Sequence, residues 1–219
     1  MIYLKKEMNN KNRIESLFTR DGNYHFSRWS KSIAPVVFGV DNATLIYIKI
    51  AFEKVVSLTP ILIDELDSEL GANFLIFFCS EWAELRDVPN LPMLIPNFTN
   101  LLKTLEEENS NKYRNFSFTS DGSINLCVLL MKYDSDLASV SVQTLATSQM
   151  LQTILLWSPE AFKTESPVAI IASNNMCVVK PFYSALIEVA YDPVLPNHSS
   201  DRAHALRLQA RLELLLEKS

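Results

Sequence analysis

The chain has 219 residues, of which 48% are hydrophobic and 21% charged, and a formal net charge of −5. That balance suits a folded domain with a sizeable core, and excludes a disordered chain or a strongly basic nucleic-acid binder. No apolar run reaches the roughly eighteen residues that a membrane span needs.

The charge is uneven. The first 31 residues carry seven basic and three acidic side chains, a net of +4, leaving −9 for the rest. Residues 1–30 therefore read as a polar, basic leading segment, solvated and lying on an acidic body, with residues 31–219 as a single domain. A short helix is expected over Lys11 to Phe18, then a turn at Asp21-Gly22.

Ile33 to Val40 is β-branched and ends near Gly39, as a strand would. Asp41 or Asn42 can cap a helix that carries Leu45, Ile48, Phe52 and Val55 inward and runs to about Leu58. Pro60 stops it. Ile61 to Asp64 reads as a short strand, and the acidic stretch after it as a solvated turn. Asn73 to Cys79 is apolar throughout, the pattern of a strand buried on both faces.

Pro89, Pro92 and Pro96 keep the next stretch irregular, and a helix is expected over Asn97 to Glu107. Two strand-like runs, one holding Phe116 and Phe118 and the other Ile124 to Met131, flank Ser120-Asp121-Gly122 and predict a hairpin. Ser135 to Trp157 reads as one long central helix. Pro167 to Ala172 is an extended run, Pro181 to Val189 an amphipathic helix, and the stripe Ala205, Leu208, Leu212 and Leu215 predicts a last helix to Glu217. Leu206, Leu214 and Leu216 lie outside that stripe, which implies burial on two sides or a homodimer contact through the C-terminal helix. The expected fold class is α+β, a mixed sheet of about five strands with helices packed on one face.

The strand order followed by a long helix resembles the zincin-like layout of metallopeptidases. Four stretches, RWSKSIAPVVFGV, GANFLIFF, SQMLQTILLW and ALIEVAYDPVLP, resemble in their order a proteobacterial family of unknown function, the DUF2927 family. The resemblance covers roughly residues 28–196. A working zincin needs His-Glu-x-x-His on that helix, two imidazoles to hold zinc and a glutamate to polarise its water. The resembling family carries Glu-Glu-x-x-Gln there. Here Ser148 and Gln149 replace both acids and only Gln152 matches. Neutral amides and a hydroxyl neither bind zinc tightly nor act as a general base. The resemblance thus implies a degenerate turn at Ser148, Gln149 and Gln152, with no catalytic residue and no cofactor carried over.

Other constellations are sparse. His198, Asp201 and His204 are spaced three apart and form a second-rank candidate for a surface metal site. Cys79, Cys127 and Cys177 are scattered and odd in number, so buried free thiols are expected rather than a disulfide framework. Four glycines leave no phosphate-binding loop. Trp29 and Trp157 flank expected core elements, whereas Trp82, beside the proline-rich stretch, is the candidate partner-facing aromatic. The expectation is a non-enzymatic, catalytically inactive zincin-like domain acting through an unknown protein partner, with no nucleic acid. Two alternatives stay open: a hydrolase whose site is assembled from distant segments, and an envelope protein contacting anions or lipid through the basic arm. The visible N-terminus has no apolar leader, which points to the cytoplasm, whereas the resemblance points to the bacterial envelope if the true start lies upstream.

Overall fold

The computed structural model describes residues 13–64 and 71–217. Lys5, Lys6 and Lys11 of the basic arm and Glu65, Asp67 and Glu69 of the acidic turn lie outside them. The elements are β1 (Thr19–Arg20), β2 (Asn23–Tyr24), β3 (Phe26–Ser27), β4 (Pro35–Phe38), α1 (Asn42–Val56), β5 (Phe74–Cys79), a 3-10 turn (Trp82–Asp87), α2 (Leu91–Leu94), α3 (Phe98–Glu107), β6 (Lys112–Phe118), β7 (Ile124–Lys132), α4 (Ser135–Ala138), α5 (Val142–Ile154), β8 (Val168–Ile171), β9 (Met176–Val179), α6 (Pro181–Ala190), β10 (His198–Ser199) and α7 (Ala203–Glu217).

The fold is α+β around a mixed four-stranded sheet of order β4-β5-β7-β6. β4, β5 and β7 run parallel, and β6 pairs antiparallel with β7 at the edge. Asp41 starts α1 by accepting the Thr44 amide at 2.7 Å, which satisfies one orphan donor of the first turn. The expected strand at Ile61 to Asp64 shrinks to one parallel bridge, Ile33 to Ile63. Among the described residues, the main sheet therefore has four strands rather than about five.

Helical layers cover both faces of the sheet, not one. On one face Phe74, Ile76, Cys127, Leu129 and Met131 join Ile48, Phe52, Met150 and Ile154 of α1 and α5 in the larger core, and the Phe52 and Phe74 rings stack at 5.5 Å. On the other face Phe77, Cys79, Val128 and Leu130 pack with Trp82, Leu85, Leu91, Leu102 and Leu105. β5 and β7 are apolar on both sides. Each large side chain contributes about 1.5–3 kcal/mol on burial, so neither face can stay wet.

The helix expected over Ser135 to Trp157 is broken. α4 ends at Ser139, and Ser141 caps α5 by accepting the Thr144 amide. The Ser139 hydroxyl binds the Asp136 carbonyl at 2.6 Å. Serines at this spacing compete for backbone groups and reset the helix direction. Leu155 already pairs in extended form with Arg28. A β8–β9 hairpin, whose second strand the periodicity does not announce, turns through Asn175 at φ 54°.

Residues 13–30 are not a solvated arm. Ile14, Phe18, Phe26 and Trp29 are buried in the main core, and β3 pairs with β10 from the far end of the chain. Arg28 is the clasp. Its guanidinium donates to the carbonyls of Ala190 at 2.7 Å, Asp192 at 3.1 Å and Leu195 at 2.8 Å, and to Asn197 Oδ1 at 2.8 Å. The Trp29 indole donates to the Thr153 carbonyl at 2.9 Å, and the Tyr191 hydroxyl to the Ile154 carbonyl at 2.7 Å. The stretches that begin RW, contain QTILLW and contain AYDPVLP thus meet in space. On α7, Ala205, Leu208 and Leu212 are buried, while Leu206, Leu214 and Leu216 are exposed. No helix among the described residues is long and apolar enough to cross a membrane.

Candidate functional site

Ser148, Gln149 and Gln152 come together on α5, on the side that faces the edge strand β6. Gln152 Nε2 donates to Ser148 Oγ at 3.1 Å. Strand alternation puts Lys112, Arg114, Phe116 and Phe118 of β6 on that same side of the sheet, since Arg114 is registered opposite Leu129 and Phe116 opposite Cys127. Arg114 reaches over β7 to the helix. It donates to Gln149 Oε1 at 2.7 Å, and more distantly, at 3.4 Å, to Gln152 Oε1 and the Gln149 carbonyl. Its Nε is buried without a hydrogen-bond partner.

The electrostatics of this cluster are one-sided. A guanidinium stays charged in proteins, yet among the described residues no carboxylate pairs with Arg114, Lys112 or Arg20. Burial pulls the Arg114 pKa below its ordinary value. Desolvation and then the Arg114 charge pull Lys112 down as well. Beneath them Cys127 is fully buried, and burial pushes its thiol up to about 12, which disfavours the reactive thiolate.

The cluster forms the floor of a groove of about 1000 Å³ between β6 and residues 158–167. Lys112, Tyr113, Arg114, Asn115 and Phe116 all line it, as do Ser148 and Gln152, so the open edge of the strand is itself a wall. The acids on the opposite wall are already engaged: Glu160 with Lys163 at 2.7 Å, and Glu165 with Arg13 at 2.9 Å and Lys180 at 3.2 Å. A second cavity, of about 460 Å³, lies at the carboxyl ends of β4, β5 and β7. Phe52, Ile76, Leu129, Met131 and Leu137 line it, and Gln149 borders it.

The remaining sequence candidates separate. Trp82 is not partner-facing: it is 1% exposed and its indole donates to the Ser110 carbonyl at 3.0 Å. The 3-10 turn, closed by a Glu81–Glu84 capping box, rolls it into the core. His198, Asp201 and His204 do not converge. His198 Nδ1 lies 3.0 Å from Ser27 Oγ, Asp201 caps the Ala203 amide, and His204 Nδ1 lies 3.0 Å from the Tyr24 hydroxyl. No group of three potential metal ligands occurs among the described residues. Cys79 Sγ donates to the Met131 carbonyl, and Ser148 is bonded to Gln152. These hydrogen bonds of His198 and His204 thus go to Ser27 and Tyr24, not to Cys79 or Ser148.

Sequence reasoning missed Arg114. The signal was the period-two run Lys112, Arg114, Phe116, Phe118, which sets two cations on the inner face of a core hairpin. Comparison of the chain with protein-family models, with curated proteins and with solved structures finds no match.

Proposed function

We propose that this chain is a non-enzymatic α+β domain that binds an extended segment of a protein partner along the edge of β6. One observation carries the reading: an edge strand whose outer side no other strand pairs among the described residues flanks a groove of about 1000 Å³, and the helix wall offers only hydroxyl and amide groups at Ser148 and Gln152. An edge strand left open is a template for main-chain pairing, and pockets beside it select alternate side chains. The strand order, with an antiparallel edge strand before the last strand and a helical segment after it, supports the zincin-like reading, and the degenerate turn supports loss of peptidase chemistry within it.

The test is selection from a displayed library of random peptides, then titration of enriched peptides into isotope-labelled protein. Backbone amide shifts are expected to cluster at residues 112–118, with the peptide recovered intact. Shifts mapping elsewhere, peptide hydrolysis, or stoichiometric zinc in the purified protein overturn the proposal.

A further inference from the structure

We infer that the β6 groove selects an extended segment carrying a carboxylate, seated at Arg114 and Lys112, with an apolar side chain two positions away against Phe116 and Phe118. The inference deepens the strand-edge reading and rests on it. A desolvated guanidinium can rest on neutral acceptors when its N–H groups are well satisfied, as at Arg28 with four bonds of 2.7–3.1 Å, and is costly when they are not. At Arg114, of five N–H groups, one bond is short, two are 3.4 Å long and Nε has none. Lys112, two residues along the same face, adds a second cation where like charges repel. Of the acids that line the groove, Glu160 and Glu165 are held by Lys163, Arg13 and Lys180 and Asp21 follows Arg20, so among the described residues no carboxylate is paired with Arg114 and that position is left for a ligand.

The planar fork of arginine matches a carboxylate. The spacing follows from the strand: side chains on one face recur every second residue, so a partner strand that sets an acid opposite Arg114 sets its residue two away opposite Phe116. The Phe116 and Phe118 rings lie 6.5 Å apart and line the same groove, which makes the neighbouring seat apolar. The carboxylate is that of an acidic side chain within the segment, which leaves backbone on both sides of it to pair with β6.

The experiment titrates the full chain with three probes: the pentapeptide Val-Thr-Glu-Thr-Val blocked at both ends, its Gln counterpart, and the Gln peptide with a free carboxyl end. Acetate and inorganic phosphate are run alongside. Affinity and the Arg114 Nε–H resonance, assigned by its loss in Arg114→Lys, are read together. The Glu peptide is expected to bind about tenfold or more tighter than the blocked Gln peptide and to move that resonance. The preference should vanish in Arg114→Gln and shrink in Lys112→Gln, an exposed change that keeps the test open if the first variant does not fold. Recovery of affinity by the Gln peptide with the free carboxyl end overturns the side-chain assignment in favour of a chain terminus. Glu and Gln peptides within twofold of each other, while shifting β6 amides, overturn the carboxylate seat and leave the strand-edge reading standing. Acetate moving Arg114 with no peptide touching β6 does the reverse. Phosphate binding more tightly than acetate, a Glu preference that survives both substitutions, or no response to any probe also overturns the inference.

Discussion

Arg114 of the edge strand donates to the side-chain oxygen of Gln149 on α5 at 2.7 Å, and this neutral amide is the nearest thing to a counter-charge it has. The contact ties the strand that borders the groove to the helical turn that lacks catalytic groups. It also makes stability and function pull in opposite directions at one residue.

Replacing a desolvated charge by an apolar side chain of similar length is often neutral or stabilising, whereas removing only its partner is costly. Arg114→Met is therefore expected to raise the unfolding free energy by about 1 kcal/mol. Gln149→Leu should lower it by about 1–3 kcal/mol, because it strips the shortest bond from a guanidinium that remains. Urea denaturation of both variants checks this, and a destabilised Arg114→Met sinks it.

Much of the fold was legible because its signals are local. The unbroken apolar run Phe74–Cys79, the Asp-Gly turn before Ile124 and the Asp41 cap each need only a few neighbouring residues. The site was half legible. The Ser148–Gln152 turn stood out by what it lacks, but its partner Arg114 lies 35 residues away on another element, and only strand pairing brings the two together. Trp82 misled because a tryptophan beside prolines looks the same whether it caps a core or faces a partner. The leading segment misled because its charges, Arg13 and Arg28 among them, lie between buried residues, and Arg28 itself is 6% exposed.

Arg28→Ala removes four hydrogen bonds and leaves the Ala190 and Leu195 carbonyls without that donor. An expected loss of about 3 kcal/mol or more follows from the cost of buried unsatisfied groups. Arg28→Lys should recover less than half of it, since an ammonium cannot span the same acceptors. The denaturant midpoints of the three proteins decide the matter. Equal midpoints for the wild type and Arg28→Lys would remove the clasp from the account.

Gly122 sits at φ +81°, and a Cβ there would lie 2.5 Å from the His198 ring. Gly122→Ala thus combines left-handed backbone strain of about 1 kcal/mol with overlap. In thermal denaturation, adding His198→Ala is expected to relieve the overlap but not the strain, so the double variant should recover only part of the lost Tm.

All three thiols are free and buried, and burial raises Cys79 to about 11 and Cys127 to about 12. Thiolate is the reactive form. A disulfide-exchange reagent at pH 8 is expected to react slowly with the native protein and to titrate three thiols at once in denaturant. Fast reaction of one native thiol would reveal an accessible cysteine that this packing does not allow.

His204 provides the pH signature. Its ring lies 4.3 Å from that of Phe26, its Nε2 is buried without a hydrogen-bond partner, and burial, then the nearby Arg207 charge, lowers its pKa from 6.5 to about 4. A folded-state pKa below the unfolded value means that the unfolded chain binds the proton first. This contribution is complete above pH 6.5 and is lost progressively as pH falls from there to about 4, an expected loss of about 3 kcal/mol. His204→Gln should be less stable at pH 7 yet lose less on acidification over that window. Urea denaturation at pH 7, 5.5 and 4.5 measures the difference between the two proteins, which cancels every group they share. Parallel profiles would show that His204 takes up no proton on unfolding.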